Sequence, residues 1–183
     1  MKKSIKETAL KLMSQKGLKF TIADLASSLT TSKRTIYEQF ASKEQLISTL
    51  VDEAIAEVKQ REQEIFLNKT LSCQEKLAGV LSIIPSGLQV GDRRLLEQMK
   101  RLAPDEWTKI QQLLMDEWQT VQEIIVQGIE QNEFRNMPVP LVIQQLKGAS
   151  MAIFDPDFQT DSETSLDTSV AVMTDVFLHG LVK

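Results

Sequence analysis

Apolar positions recur at three- and four-residue intervals along this chain, and no run alternates in the manner of a half-buried strand. Ile5, Ala9, Leu12 and Met13 share one face of a first helix that Gly17 can end. Thr21 suits the N-cap of a short second helix carrying Ile22, Leu25 and Ala26. Leu29-Thr30-Thr31 makes a turn, and Ser32 caps a third helix over 33–40. Ser42, with Gln45 three residues on, opens a long fourth helix as a capping box. Its apolar face is Leu46, Ile47, Leu50, Val51, Ala54, Ile55 and Val58.

After about residue 66 the pattern changes. A helix over 74–84 stops at the breaker cluster Pro85-Ser86-Gly87, and a shorter one follows over roughly 92–101. Pro104, with Asp105 and Glu106 in the first turn, starts a long helix to about Gln131. Trp107, Ile110, Leu114, Trp118, Val121, Ile125 and Ile129 lie along one of its faces. NEFRNMPVP interrupts the chain before a helix over about 139–153, and the acidic FDPDFQTDSET is a loop before a last helix over 163–182. The expectation is an all-α protein of nine helices joined by short connections.

Composition adds limits. With 42% hydrophobic and 25% charged residues, the 183-residue chain is that of an ordinary folded protein. Its uncharged stretches are too short to cross a bilayer, and the N-terminal lysines lack the apolar run of a signal peptide. The single cysteine, Cys73, can make no internal disulfide, so a cytoplasmic location is expected. Net charge is −4, yet residues 1–50 hold nine Lys/Arg against four Asp/Glu, and the remainder is strongly acidic.

That local positive charge falls on the second of two short helices spaced as a helix-turn-helix. In such a motif the second helix enters the major groove with its N-terminal residues at the base edges, the place of Lys33, Arg34 and Thr35. Tyr37 and Gln39 lie further along, within reach of phosphates or bases, and Ile36 and Phe40 form the inward side. Lys43 at the start of the fourth helix adds a cation to free backbone N–H groups, a place for phosphate.

The order TIADLA (21–26), SKRTIYEQF (32–40), SKEQL (42–46) resembles the DNA-binding domain of the tetracycline-repressor (TetR) family of bacterial regulators. Thr21, Ala26, Ser32, Thr35, Tyr37, Phe40, Lys43, Glu44 and Leu46 match its pattern in register. Two departures stand out. Thr30-Thr31 replaces the common Gly-Val of the turn, so the turn forms without glycine's freedom, and Arg34 replaces a small residue. The resemblance implies binding to palindromic double-stranded operator DNA through Thr21, Lys33, Arg34, Thr35, Tyr37, Gln39 and Lys43.

It also implies a division into an N-terminal three-helix helix-turn-helix domain (1–48) and a helical regulatory and dimerisation domain (49–183), with a small-molecule effector in the second and a homodimer built on its last two helices. Met99, Trp107, Leu114, Met115 and Trp118 are candidate pocket residues, although a helical aromatic stripe equally makes plain core. Glu97, Asp116 and Glu117 fit either a cationic ligand or a solvated face. Val142, Leu146, Ile153, Val170, Met173 and Phe177 are the candidate dimer seam. The lone His179 and lone Cys73 make no catalytic or zinc constellation, so no enzyme activity, metal, cofactor or membrane contact is expected. Two alternatives stay open: a DNA-binding protein of this fold with no small-molecule ligand, and a helical protein whose basic end touches acidic surfaces.

Overall fold

The computed structural model describes residues 1–85, 93–116, 118–158 and 164–182. Ser86 and Gly87 of the expected breaker, the expected helix start at Asp92, Glu117, and residues 159–163 of the acidic loop lie outside this set. The described residues form α1 (Lys2–Lys16), α2 (Ile22–Ser28), α3 (Lys33–Tyr37), α4 (Lys43–Leu67) and α5 (Cys73–Leu81). They continue with α6 (Arg93–Leu102), α7 (Pro104–Asp116), α8 (Gln119–Glu130), α9 (Val139–Phe154) and α10 (Leu166–Leu181).

The all-α architecture is as the periodicity predicts, with one break added. The helix expected over 104–131 is two pieces, α7 and α8, meeting at Trp118. The Trp118 indole Nε1 donates to the Leu114 carbonyl at 2.7 Å. In an unbroken helix that carbonyl would receive Trp118's own backbone N–H, so the side chain substitutes for the backbone at the joint. Other corrections are smaller: α3 stops at Tyr37, α5 at Leu81, and α10 begins at Leu166, where Ser165 Oγ accepts from Thr168 N.

Packing divides into two apolar clusters. The first joins α1 to the front half of α4 and takes in Leu95, Leu96 and Met99 of α6, Trp107 of α7 and Leu166 of α10. The second gathers Cys73, Leu77 and Leu81 of α5 with Val121, Ile124 and Ile125 of α8, Val142, Ile143 and Leu146 of α9, and Leu181. Phe134 locks this second cluster. Its ring lies so close to Gly128 that an added Cβ would come within 2.2 Å of it, so glycine is required there. Beside it, Arg135 N donates to Leu181 O, tying the end of α10 to the end of α8.

The long α4 runs through both halves. Leu46, Ile47, Leu50 and Val51 are buried in the first cluster, while Ile55 and Val58 further along are only half-buried. In a 25-residue helix whose stability comes mainly from packing, that change of burial marks where the solid core ends.

Candidate nucleic-acid interface and cavity

Local capping sets the orientation of α2 and α3. Thr21 and Asp24 form a reciprocal capping box: Asp24 N donates to Thr21 Oγ1 at 3.1 Å and Thr21 N to Asp24 Oδ2 at 2.8 Å. The Lys16 ammonium, 2.7 Å from Asp24 Oδ1, and the Thr21 hydrogen bonds hold the Asp24 carboxyl down at about 2. Thr21's hydroxyl is therefore already engaged, accepting from Asp24 N and donating to Asp24 Oδ2. Ser32 Oγ accepts from Thr35 N and pairs with Thr35 Oγ1 at 3.0 Å, which fixes the start of α3.

Between them the turn closes as a Schellman motif. Thr31 N donates to Ala26 O and Thr30 N to Ser27 O, with Thr30 at φ 52. A β-branched residue is a poor occupant of that left-handed region. The same motif ends α8, where Asn132 holds the position at φ 60, with Asn132 N on Ile129 O and Glu133 N on Gly128 O. The absent glycine thus leaves the turn's shape intact and adds strain at Thr30.

With Ile36 and Phe40 buried, α3 presents Lys33, Arg34, Tyr37 and Glu38 to solvent. Arg34 Nε donates to Glu38 Oε1 at 3.2 Å while its side chain stays 90% exposed, a surface pair that a phosphate or base can displace. Tyr37 is 49% exposed, with its ring and hydroxyl open to a partner. Thr35 and Gln39 are half-buried.

Lys43 behaves differently from the rest. Its ammonium turns back to donate to the Leu18 carbonyl and sits 4.6 Å from the centre of the Phe20 ring. Burial lowers its pKa, opposed by the charges of Glu44 and Asp24. On the other side of the same residue, Leu18 N donates to the Gln98 carboxamide at 2.6 Å. Gly17, at φ 61, gives the room for this contact, since a Cβ there would fall 2.2 Å from Gln98 Oε1. Leu18 therefore links α6 to the first residue of α4 through its two backbone groups.

Where the two clusters meet there is a cavity of about 170 Å³. Val51, Leu95, Leu96 and Leu166 of the first cluster and Leu81 and Val121 of the second face it, with Ile55 and Val58 of α4 between. Of the residues expected from sequence, Leu114 and Trp118 line it. Met99 and Trp107 do not: both are buried in the first cluster, where the Lys100 ammonium lies 5.8 Å from the Trp107 ring. Met115 is 40% exposed on the outside of α7. The helical stripe that joined Trp107 to Leu114 and Trp118 is interrupted at Trp118, so its two ends serve different cores. Glu97 and Asp116 face solvent.

The residues expected to form a seam on the last two helices are taken up within the chain itself. Val142, Leu146, Val170 and Met173 are buried within the chain, and Ile153 and Phe177 pack against its core. The strongest apolar face of each helix was already used to fold the monomer. Their outer faces carry Leu141 (56% exposed), Val172 (58%) and Val176 (61%), together with Gly148, whose Cβ position meets open space. On α9 the exposed positions Leu141, Gln145, Gly148 and Ala152 follow helical spacing, as do Thr168, Val172, Val176 and His179 on α10.

A family model for bacterial regulatory proteins of the tetR family matches residues 5–50, the segment from α1 to the first turns of α4. Over its whole length the chain resembles YvaF of Bacillus subtilis (strain 168), an uncharacterized HTH-type transcriptional regulator: 31% identity over 181 residues, covering 99% of this chain and 95% of the relative. The chain belongs to the TetR family. Solved TetR-like folds agree in architecture. PfmR from Thermus thermophilus superposes with a TM-score of 0.67 at 22% identity, covering 98% of this chain and 99% of that one. FadR from Bacillus subtilis, solved with stearoyl-CoA, gives 0.62 at 21%, covering 97% of each. The ketosteroid regulator KstR2 of Mycobacterium tuberculosis gives 0.64 at 19%, covering all of this chain and 95% of that one.

As a TetR-family transcriptional regulator, the protein has its motif where sequence reading looked for it. What that reading missed is the cavity wall. Ile55 and Val58 extend the apolar face of α4 beyond the solid core, and Ser150 of α9 is a polar residue among apolar ones. The overlong apolar face was the available signal for the first two; nothing local marks Ser150.

Proposed function

We propose that this protein is a cytoplasmic, homodimeric repressor that binds a palindromic DNA operator and is released by a small molecule held in the cavity. The observation that carries the DNA half is the exposed outer side of α3, where Lys33, Arg34 and Tyr37 stand free of the core behind a tightly capped start. Residues 1–48 form the DNA-binding part and 49–183 the regulatory and dimerisation part. Lys33, Arg34, Thr35, Tyr37 and Gln39 serve as the groove and phosphate contacts. Thr21 and Lys43 meet phosphate only by giving up part of their present hydrogen bonding, so their first role is to position the helices that carry the others.

The homodimer forms across the outer faces of α9 and α10, through Leu141, Val172 and Val176. Two copies of α3 held about 34 Å apart by such a pairing would read successive major grooves. The cavity favours a ligand-controlled regulator over one of the same fold without an effector. Among regulators of similar fold, the one solved with stearoyl-CoA holds a molecule with a long apolar part.

Control follows from the contacts around Leu18. Leu95 and Leu96 face the cavity, Gln98 one turn on holds Leu18 N, and Leu18 O holds Lys43 at the start of α4. A ligand that displaces α6 or the Ile55–Val58 stretch changes the seat of α3. Release requires that it bind the displaced state more tightly than the DNA-competent one.

Selection of binding sites from a pool of random duplexes tests this reading. An enriched inverted repeat with half-sites about one helical turn apart is the expected result. Enrichment of no sequence would overturn it.

A further inference from the structure

Among its described residues, the cavity wall is apolar at all but two positions. Nineteen of its lining residues are aliphatic, aromatic, proline or methionine, and the remaining two are Glu62 and Ser150. Glu62 is the only ionisable group among the described wall residues, and it already has an interaction partner of its own. A ligand charge placed among these side chains loses its hydration with little to replace it.

Ser150 is a different kind of exception. It is only 4% exposed, it faces the cavity, and its hydroxyl donates to the Met173 sulfur at 3.8 Å. A thioether is a weak acceptor, and the hydroxyl oxygen has two lone pairs of its own. Met173 also lines the cavity, and its flexible side chain can move aside. Ser150 is thus a buried polar group whose hydrogen-bonding capacity is largely unspent and aimed at an apolar space.

Resting on the effector-cavity reading above, we infer that the ligand is electrically neutral, with an apolar body and one carbonyl or hydroxyl group that Ser150 engages in place of the Met173 sulfur. Size agrees with this. A cavity of about 150 Å³ accommodates benzene, so about 170 Å³ suits a ring or chain of similar bulk before the wall adjusts. Trp118 and Phe154 supply the only aromatic surfaces on the described wall, at positions able to flank such a body.

Trp118 is also the reporter. The chain has two tryptophans, and Trp107→Phe leaves Trp118 as the single emitter on the cavity wall. The probes are benzene, hexan-2-one, hexan-1-ol, hexanoate and hexylammonium, titrated at neutral pH while Trp118 emission is followed. The ketone and alcohol are expected to bind, with hexanoate and hexylammonium at least ~10-fold weaker. Ser150→Ala is expected to weaken hexan-2-one by about 3- to 10-fold and to leave benzene unchanged. Charged probes binding as well as neutral ones, or Ser150→Ala affecting benzene and the ketone equally, would overturn the inference while the effector cavity stands. Binding by none of the five would remove the effector cavity itself, and the inference with it.

Discussion

The helices before residue 50 and those after it use apolar residues in opposite ways. The first group closes around a solid core, with Ile5, Ala9, Phe20, Leu25, Ile36 and Leu46 at 0% exposure. The second surrounds a space, and leaves Leu141, Val172 and Val176 uncovered on its outer side. One region is finished within a single chain and turns polar side chains outward. The other leaves apolar surface open both inside and outside, which is where the proposed ligand and second copy would sit. The difference teaches where each region should resist change.

The largest contrast expected is in stability. Leu25→Ala should cost ~2–5 kcal/mol, because the site is enclosed on all sides. Leu113→Ala on the cavity wall should cost less than about 1.5 kcal/mol, since the removed atoms already border empty space. Urea unfolding of the two variants measures both, and equal losses would erase the distinction between solid and hollow regions.

The outer faces come next. Val172→Glu combined with Val176→Glu should weaken self-association by about 30-fold or more without lowering the melting temperature of the monomer. Val142→Ala should do the reverse. Sedimentation velocity across a concentration series would separate the two, and an unchanged dimer in the double glutamate variant would place the interface elsewhere.

The link between the regions is open to a finer test. Gln98→Leu removes the acceptor of the buried Leu18 N–H and should cost about 1–3 kcal/mol, whereas Gln98→Glu keeps an acceptor and should recover most of it. If both variants unfold alike, the contact does not join the two parts.

A smaller effect of opposite sign belongs to the two Schellman turns. Thr30→Gly should stabilise by up to about 1 kcal/mol, since it relieves a left-handed β-branched residue. Asn132→Gly should change little, asparagine already tolerating that conformation. Matched thermal melts would show it, and a loss at Thr30 would mean that its side chain has a role beyond the turn.

Smallest is an acid effect at the N-terminal capping box of α2. Asp24 has its carboxyl lowered from 3.8 to about 2 by Lys16 and Thr21, so its stabilisation is complete above pH 3.8 and disappears as pH falls through about 2. Asp24→Asn should flatten that part of the pH–stability curve. An identical slope in the variant would assign the acid sensitivity to other carboxylates.

Legibility in the sequence followed the range of the forces involved. The caps at Thr21, Ser32 and Ser42 act over three residues, so the motif they orient could be read directly from spacing. The division of α7 from α8 depends on a side chain taking over a backbone acceptor, which no apolar pattern records. The exposed faces of α9 and α10 were hidden for a related reason. Periodicity reports the most apolar side of a helix, and on α9 and α10 that side, with Val142, Leu146, Val170 and Met173, is consumed by the chain's own core. Trp107 was drawn towards the cavity by a stripe that serves two cores, Met99 by its nearness to that stripe in sequence, and Ser150 came to face the cavity only through folding.

The central claim is that the free side of α3 reads DNA sequence. The direct test is titration of the purified protein against duplex DNA from upstream of its own gene or from site selection, beside a scrambled duplex, at two salt concentrations, with Tyr37→Ala in parallel. The account predicts at least ~1000-fold tighter binding to the specific duplex, a steep loss with salt, and loss of that preference in a still-folded Tyr37→Ala. Equal affinity for both duplexes, or a Tyr37→Ala variant that discriminates as well as the parent, would contradict it.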